Sequence, residues 1–177
     1  MKKFLSIILV LLLCFGIFGC GENNKADPTD GTDTSVEPTE KYYFQDDIAV
    51  LEDIKIEITD HKVINPGKKG NEYGEKPVLA FWYKVTNTSD KDIDPISAWL
   101  AVFVAIQDND PNSVNELNVG TLPDEKYLDS QMEQIKEGGT VENAISYELD
   151  DTKTPVVLKA TKGIDGKELG EQTYNLK

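Results

Sequence analysis

The chain has 177 residues and a formal net charge of −14, from 18 basic against 32 acidic side chains, and every basic residue is lysine. A polyanion without arginine lacks the surface needed to grip nucleic acid or anionic lipid headgroups, so those partners are excluded. The length suits a single domain with a sizeable core.

Lys2 and Lys3 precede an apolar run from Phe4 to Phe18. A run of about 15 residues suits a signal segment and is short for a spanning helix, which needs roughly 20. It closes on Ile17-Phe18-Gly19-Cys20, which resembles a bacterial lipoprotein signal peptide with its lipobox. The resemblance implies export, cleavage before Cys20, and a diacylglyceryl anchor on that thiol at the outer face of the membrane. An uncleaved anchor, or a secretory signal with an incidental cysteine, are the other readings. Cys14 would leave with residues 1–19. The mature chain would then hold no disulfide and would rely on its hydrophobic core.

Residues 20–41 read as an acidic tether. Asp27-Pro28-Thr29-Asp30-Gly31 and Glu37-Pro38-Thr39-Glu40 cannot bury enough apolar surface to offset the cost of ordering their backbone.

Residues 42–177 change to β character. Ile54, Ile56 and Ile58 alternate with polar residues, as in a half-buried strand. Asn65 to Asn71 is a loop rich in turn residues. Val78 to Thr86 predicts a strand with Leu79, Phe81, Tyr83 and Val85 on one face. Ile96 to Ile106 is apolar on both faces, and periodicity alone does not separate strand from helix there. Its β-branched content and its Asp94-Pro95 start favour strand. Ser113–Leu117 and Asp124–Gln131 suit short helical turns. Gly138-Gly139 opens a strand carrying Val141, Ile145, Tyr147 and Leu149. Pro155–Thr161 predicts another, Gly163–Gly170 a turn, and Gln172–Leu176 a last strand. About seven strands at this spacing predict an all-β antiparallel sandwich.

Three stretches carry a further resemblance: Gly70 to Val78 running into Phe81-Trp82-Tyr83, Ala105 to Asp110, and Gly138-Gly139-Thr140-Val141 through Leu149. They resemble a family of Gram-positive lipoproteins whose module is known only as a domain of unknown function. The resemblance spans Tyr43 to Lys177 and implies an immunoglobulin-like fold at the cell surface. It brings no catalytic or binding residue with it.

The candidate chemistry is sparse. His61 is the single histidine, so a zinc site of His/Cys type is excluded, and no nucleophile elbow accompanies it. The acid pairs Asp46-Asp47, Asp124-Glu125 and Asp150-Asp151 sit in turns, without the spacing across a cleft that glycoside hydrolysis needs. No enzyme is therefore expected. Calcium is the one cofactor candidate: Asp108, Asp110, Asn112 and Glu116 offer hard oxygens in a short loop, and Asp90, Asp92 and Asp94 form a second cluster that equally suits a solvated strand edge. Trp82 and Trp99 suit core positions, with a ligand platform as the alternative.

The expected protein is a cell-surface binding module that presents loops Asn65–Lys76 and Asp108–Asp124 to an envelope protein or glycan. The alternatives are an accessory envelope subunit of a membrane complex, or a calcium-binding or wall-degrading domain.

Overall fold

The chain enters the fold through a two-residue hairpin. Strands β1 (Tyr43–Gln45) and β2 (Ile48–Val50) are joined by Asp46 and Asp47, both at positive φ (51° and 64°). Such a turn matches the right-handed twist of its strands, and aspartate tolerates the left-handed region better than most residues. Then follow β3 (Ile54–Ile64), β4 (Val78–Asn87), helix α1 (Pro95–Val102), β5 (Phe103–Ile106), a 3-10 turn (Glu125–Tyr127), β6 (Thr140–Glu148), β7 (Val156–Thr161) and β8 (Glu168–Tyr174). The structure is a computed structural model that describes residues 41–176. Residues 1–19, Cys20, the tether up to residue 40, and Lys177 lie outside the described residues.

The strands form two antiparallel sheets, one in the order β1-β2-β3-β4-β6 and the other in the order β5-β7-β8. This is the expected immunoglobulin-like sandwich, with eight strands among the described residues. Both sheets and their core fall within one compact unit, Glu37–Lys177. That unit therefore holds everything it needs to fold on its own.

Strand β3 starts with Ile54, Ile56 and Ile58 pointing into the core. Its pairing with β4 then slips between Ile58 and Asp60. One extra residue in a strand reverses the side-chain phase beyond it. Asp60, Lys62 and Ile64 consequently lie opposite Trp82, Ala80 and Val78, on the outer face of the sheet. Strand β4 serves both faces. Leu79, Phe81, Tyr83 and Val85 join the main core, whereas Val78 and Ala80 form a small second cluster with Ile64.

Trp99 is the hub of the main core. It is fully buried, with ring centroids 4.4 Å from Tyr83, 4.6 Å from Phe103 and 5.5 Å from Phe81. Its indole Nε1 donates to the Tyr147 hydroxyl at 2.8 Å. Burial pushes the Tyr147 hydroxyl pKa up to about 12. Trp99 is thus core and no ligand platform; Trp82 is half-buried on the outer face.

The expected strand Ile96–Ile106 is corrected in its first part. Residues Pro95–Val102 are helical, and only Phe103–Ile106 is strand. The Asp94-Pro95 pair that suggested a strand start is a helix start. The Asp94 carboxylate accepts from the Ser97 backbone N–H at 2.9 Å, and proline at the first helical position has its φ already set. Pro95, Ala98, Trp99 and Val102 form the buried stripe at helical spacing. The last strand also begins earlier than expected, at Glu168, inside the stretch read as a turn.

The second correction concerns Ser113–Leu117, which forms no helical turn. This segment runs extended and joins both sheets. The Gln107 N–H donates to Asn115 O (3.0 Å) and the Leu117 N–H to Ala105 O (2.9 Å), along the edge of β5. The Glu148 N–H then donates to Asn118 O (2.9 Å) and the Gly120 N–H to Ser146 O (2.8 Å), along the edge of β6. Residues 115–120 therefore stitch one side of the sandwich shut. On the opposite side, the Asp47 carboxylate accepts from Tyr174 Oη and Gln172 Nε2, each at 2.6 Å. There β8 lies so close to β1 that a Cβ on Gly170 would stand 2.4 Å from Phe44 O. The Asp124–Gln131 expectation is met by the 3-10 turn, capped by Asp124.

Buried Gln107 clamps the turn between β6 and β7. Its Nε2 donates to Asp151 O and Thr154 O, both at 2.9 Å, and its Oε1 accepts from the Asp150 N–H at 2.9 Å. The Asp151 carboxylate closes the same turn, accepting from the backbone N–H groups of Thr154 and Lys153 at 2.7 Å each. These donors, that of Thr154 foremost, lower its pKa from 3.8 to about 2. A carboxylate whose pKa falls on folding contributes stability above its unfolded value and loses it as pH drops through the folded one. Asp151→Asn should therefore flatten the acid limb of stability between pH 3.8 and about 2. Urea midpoints across that range check this; an unchanged limb would assign acid loss to other groups.

A candidate binding groove at the far end of the sheet

Loop 65–77 follows β3 and is held at its base by Asn71. This side chain is buried, and its Nδ2 donates to Ile64 O at 3.1 Å and Lys76 O at 2.8 Å. With the base fixed, the tip projects: Tyr73 is 96% exposed. A second loop, from Thr121 to Ile135, wraps the β6 edge of the five-stranded sheet, starting beside Ser146 on the outer face and ending with Ile135 buried in the core. The Ser146 hydroxyl donates to Thr121 O at 2.6 Å, and Asn143 Nδ2 donates to Ser130 Oγ at 3.2 Å. The two loops meet at Gly70, which has φ +90°. A Cβ there would fall 2.3 Å from Pro123 O, so only glycine lets the loops approach this closely.

Between them lies a groove of about 750 Å³. Tyr73, Leu122, Pro123 and Leu128 supply its apolar surface, and Leu128 is 65% exposed. Lys69, Glu72, Asp124, Glu125 and Lys126 also line it. Lys126 Nζ sits 4.4 Å above the Tyr127 ring centroid and 3.5 Å from the Asp124 carboxylate. The arrangement offers an aromatic and aliphatic surface ringed by both signs of charge, which suits recognition more than bond making. The groove follows the C-terminal end of β3, whereas Tyr43, where the described strands begin, pairs with Val50 at the other end. Eleven residues of β3 separate the two ends, roughly 35 Å at about 3.3 Å per residue.

The first of the two loops expected to carry recognition, Asn65–Lys76, contributes Lys69 to Tyr73. The second, Asp108–Asp124, contributes only its last residues. Its acidic start, Asp108 to Ser113, lies elsewhere, beside Val157 and Glu171. The residues missed are Glu125 to Leu128; their one trace in the sequence is a leucine set among polar residues, which the structure leaves 65% exposed.

The calcium candidates do not converge. Asp110 accepts from the Asn112 N–H and the Ser113 hydroxyl, both at 2.8 Å, and those donors hold its carboxyl below the ordinary range. Glu116 is exposed and pairs opposite Ile106 in the stitch. Among the described residues no group of three or more His, Cys, Asp or Glu side chains is placed to share a metal ion. Asp110 and Asn112 lie in an Asp-closed turn, and Glu116 lies in a strand bridge. The acid pairs have structural work: Asp46-Asp47 makes the hairpin, Asp124 caps the 3-10 turn, and Asp150-Asp151 makes the β6–β7 turn. His61 is exposed within β3, its ring 4.9 Å from that of Tyr174, and Asp60 accepts from the His61 backbone N–H and not from its ring.

Fold and groove together define a β-sandwich module that presents a loop-built surface at one end. A family model described as a domain of unknown function (DUF5067) matches residues 30–162, and the chain belongs to that family. Two solved structures share the fold. One, of a candidate lipoprotein from Staphylococcus aureus, is 22% identical with a TM-score of 0.63, covering 76% of this chain and 92% of its own. The other, an NMR structure of a protein from Enterococcus faecalis, is 19% identical with a TM-score of 0.59, covering 78% and 96%. No curated protein matches the chain. Among the described residues no helix is long and apolar enough to cross a membrane.

Proposed function

We propose that this chain is a lipid-anchored, extracytoplasmic binding module. Residues 1–19 direct export, Cys20 carries the diacylglyceryl anchor, residues 20–41 form the tether, and the domain from 42 to 177 presents the groove. It acts by recognition and not by catalysis. The observation that carries this reading is the groove surface itself, where Tyr73 (96% exposed) and Leu128 (65% exposed) flank a cleft built by two loops. The apolar run ending in Ile17-Phe18-Gly19-Cys20 supports the anchor, and the likeness to a candidate lipoprotein agrees with it. The partner is an envelope protein or glycan met by the Tyr73 and Leu128 surface.

Two measurements test this. A fatty-acid probe fed to cells should label the chain and leave Cys20→Ser unlabelled; an unlabelled wild-type chain would remove the anchor. The immobilised Glu37–Lys177 unit should bind one fraction of envelope protein or glycan saturably. Tyr73→Ala with Leu128→Ala should weaken that binding at least tenfold without changing the melting temperature. Binding that is indifferent to both substitutions would exclude the groove.

A further inference from the structure

A second concavity lies at the other end of the domain and takes no part in the proposed recognition. It has a volume of about 390 Å³ and sits between the β2–β3 turn, the Lys91–Asp94 approach to α1, the exposed side of α1, and the Lys162-Gly163 turn. Its wall is hydrocarbon: Ile54, Ala98 and Val102 are buried beneath it, and Leu51, Ile93 and Ala101 are partly exposed to it.

The rim is ionic. Lys91 Nζ lies 2.7 Å from the Asp53 carboxylate and Lys162 Nζ 3.3 Å from that of Glu52. Asp92 and Asp94 complete it. Among the lining residues four carboxylates are set against two ammonium groups, a balance of two negative charges, and Lys41 outside the lining is also drawn towards Glu52. Asp94 spends one oxygen on the Ser97 N–H, and among the described residues its other oxygen and the exposed Asp92 have no hydrogen bond or ion pair. Both lysines are exposed, and such pairs hold weakly, so an incoming charge can compete for their carboxylates, although Lys162 is also held 4.5 Å over the Tyr42 ring.

We infer that this cavity binds an amphipathic organic cation: an amine or quaternary ammonium carrying a short hydrocarbon body. The apolar wall takes the hydrocarbon, and the surplus carboxylates at the mouth take the positive head. The charge balance rejects the competing occupants. An anionic amphiphile would enter against a negative rim on a chain of net charge −14. A second copy of this chain meets the same repulsion. A neutral hydrocarbon would use the wall and forfeit the rim. The cavity is large enough for a body of six to eight carbons, at the small end of the usual range for ligand pockets of about 300–1,000 Å³.

The test uses the ¹⁵N-labelled Glu37–Lys177 unit, titrated with hexyltrimethylammonium, hexanesulfonate and tetramethylammonium. Hexyltrimethylammonium should saturate amide shifts at Ile54, Ile93, Ala101 and Val102. It should bind at least tenfold tighter than the other two and weaken as salt is raised. Asp92→Lys, on an exposed loop, should cost at least fivefold. Ala101→Leu, which narrows the cavity, should cost at least as much. Sulfonate binding as tightly as the ammonium would overturn the proposal. So would tetramethylammonium giving the same shifts, or shifts that neither variant changes, since diffuse attraction to an acidic surface would then suffice.

Discussion

Trp99→Ala should remove about 3–5 kcal/mol of stability, the range for deleting a large buried aromatic. Domains of this size hold about 5–15 kcal/mol in total, so the variant should sit near the edge of folding at 37 °C. Two losses combine. The indole leaves a void against Phe81, Tyr83 and Phe103, and those rings cannot close over it because both sheets and α1 fix their backbones. The Tyr147 hydroxyl also loses the donor 2.8 Å away, inside the core. Trp99→Phe separates the two effects, because it keeps most of the packing and deletes the donor. It should cost about 1–3 kcal/mol, and adding Tyr147→Phe should recover part of that by removing the stranded hydroxyl. Urea unfolding followed by circular dichroism reads all three variants. A loss below about 1 kcal/mol for Trp99→Ala would contradict its place at the centre of the core.

Asn87→Asp is the second large effect, and its size depends on pH. Asn87 is buried at the end of β4 and joins three segments. Its Nδ2 donates to Lys91 O and Ile135 O, both at 2.8 Å, and its Oδ1 accepts from the Ser89 N–H at 2.9 Å. Its backbone pairs with Gly138 and Gly139 at the start of β6. Aspartate has the same shape, so packing is unchanged. An oxygen now faces two carbonyl oxygens, and a carboxylate is buried without a cation. The cost should be about 3–5 kcal/mol at pH 7. Burial raises the folded pKa of such a carboxyl above its unfolded value near 3.9. The penalty is therefore complete above the folded pKa and shrinks as pH falls towards 4, where the protonated acid can donate one bond again. Asn87→Ala carries no titratable group, so its deficit should not vary with pH. Denaturant midpoints at pH 7 and pH 4, each taken relative to wild type, distinguish the two. An Asn87→Asp deficit that stayed constant would show the carboxyl to be hydrated.

Asn87 also shows what a sequence can disclose. Gly138-Gly139-Thr140-Val141 stands out as a motif, and in the structure its two glycines bond to the backbone of Asn87, far away in the chain. The strands of the larger sheet were legible because alternation is local: Leu79, Phe81, Tyr83 and Val85 announce both strand and face. The bulge in β3 was not legible, because the residue that slips is recognised only against its partners on β4. α1 was misread although its signals were present. Asp94, Pro95 and Ser97 spell a cap, yet the β-branched residues of β5 directly behind them blurred the helical stripe. Residues 115–120 show no periodicity, since each hydrogen bond they make reaches a distant strand. The groove was half legible for the same reason. Proline and glycine mark loop 65–76, but its partner is chosen by Gly70 meeting Pro123 and by Ser146 holding Thr121.

The short segment from Asn115 to Gly120 has a bearing on how the molecule comes apart. Because its two halves belong to different sheets, neither layer can peel away without tearing the hydrogen bonds of the other. Those shared bonds couple the opening of one layer to the loss of bonds on the other.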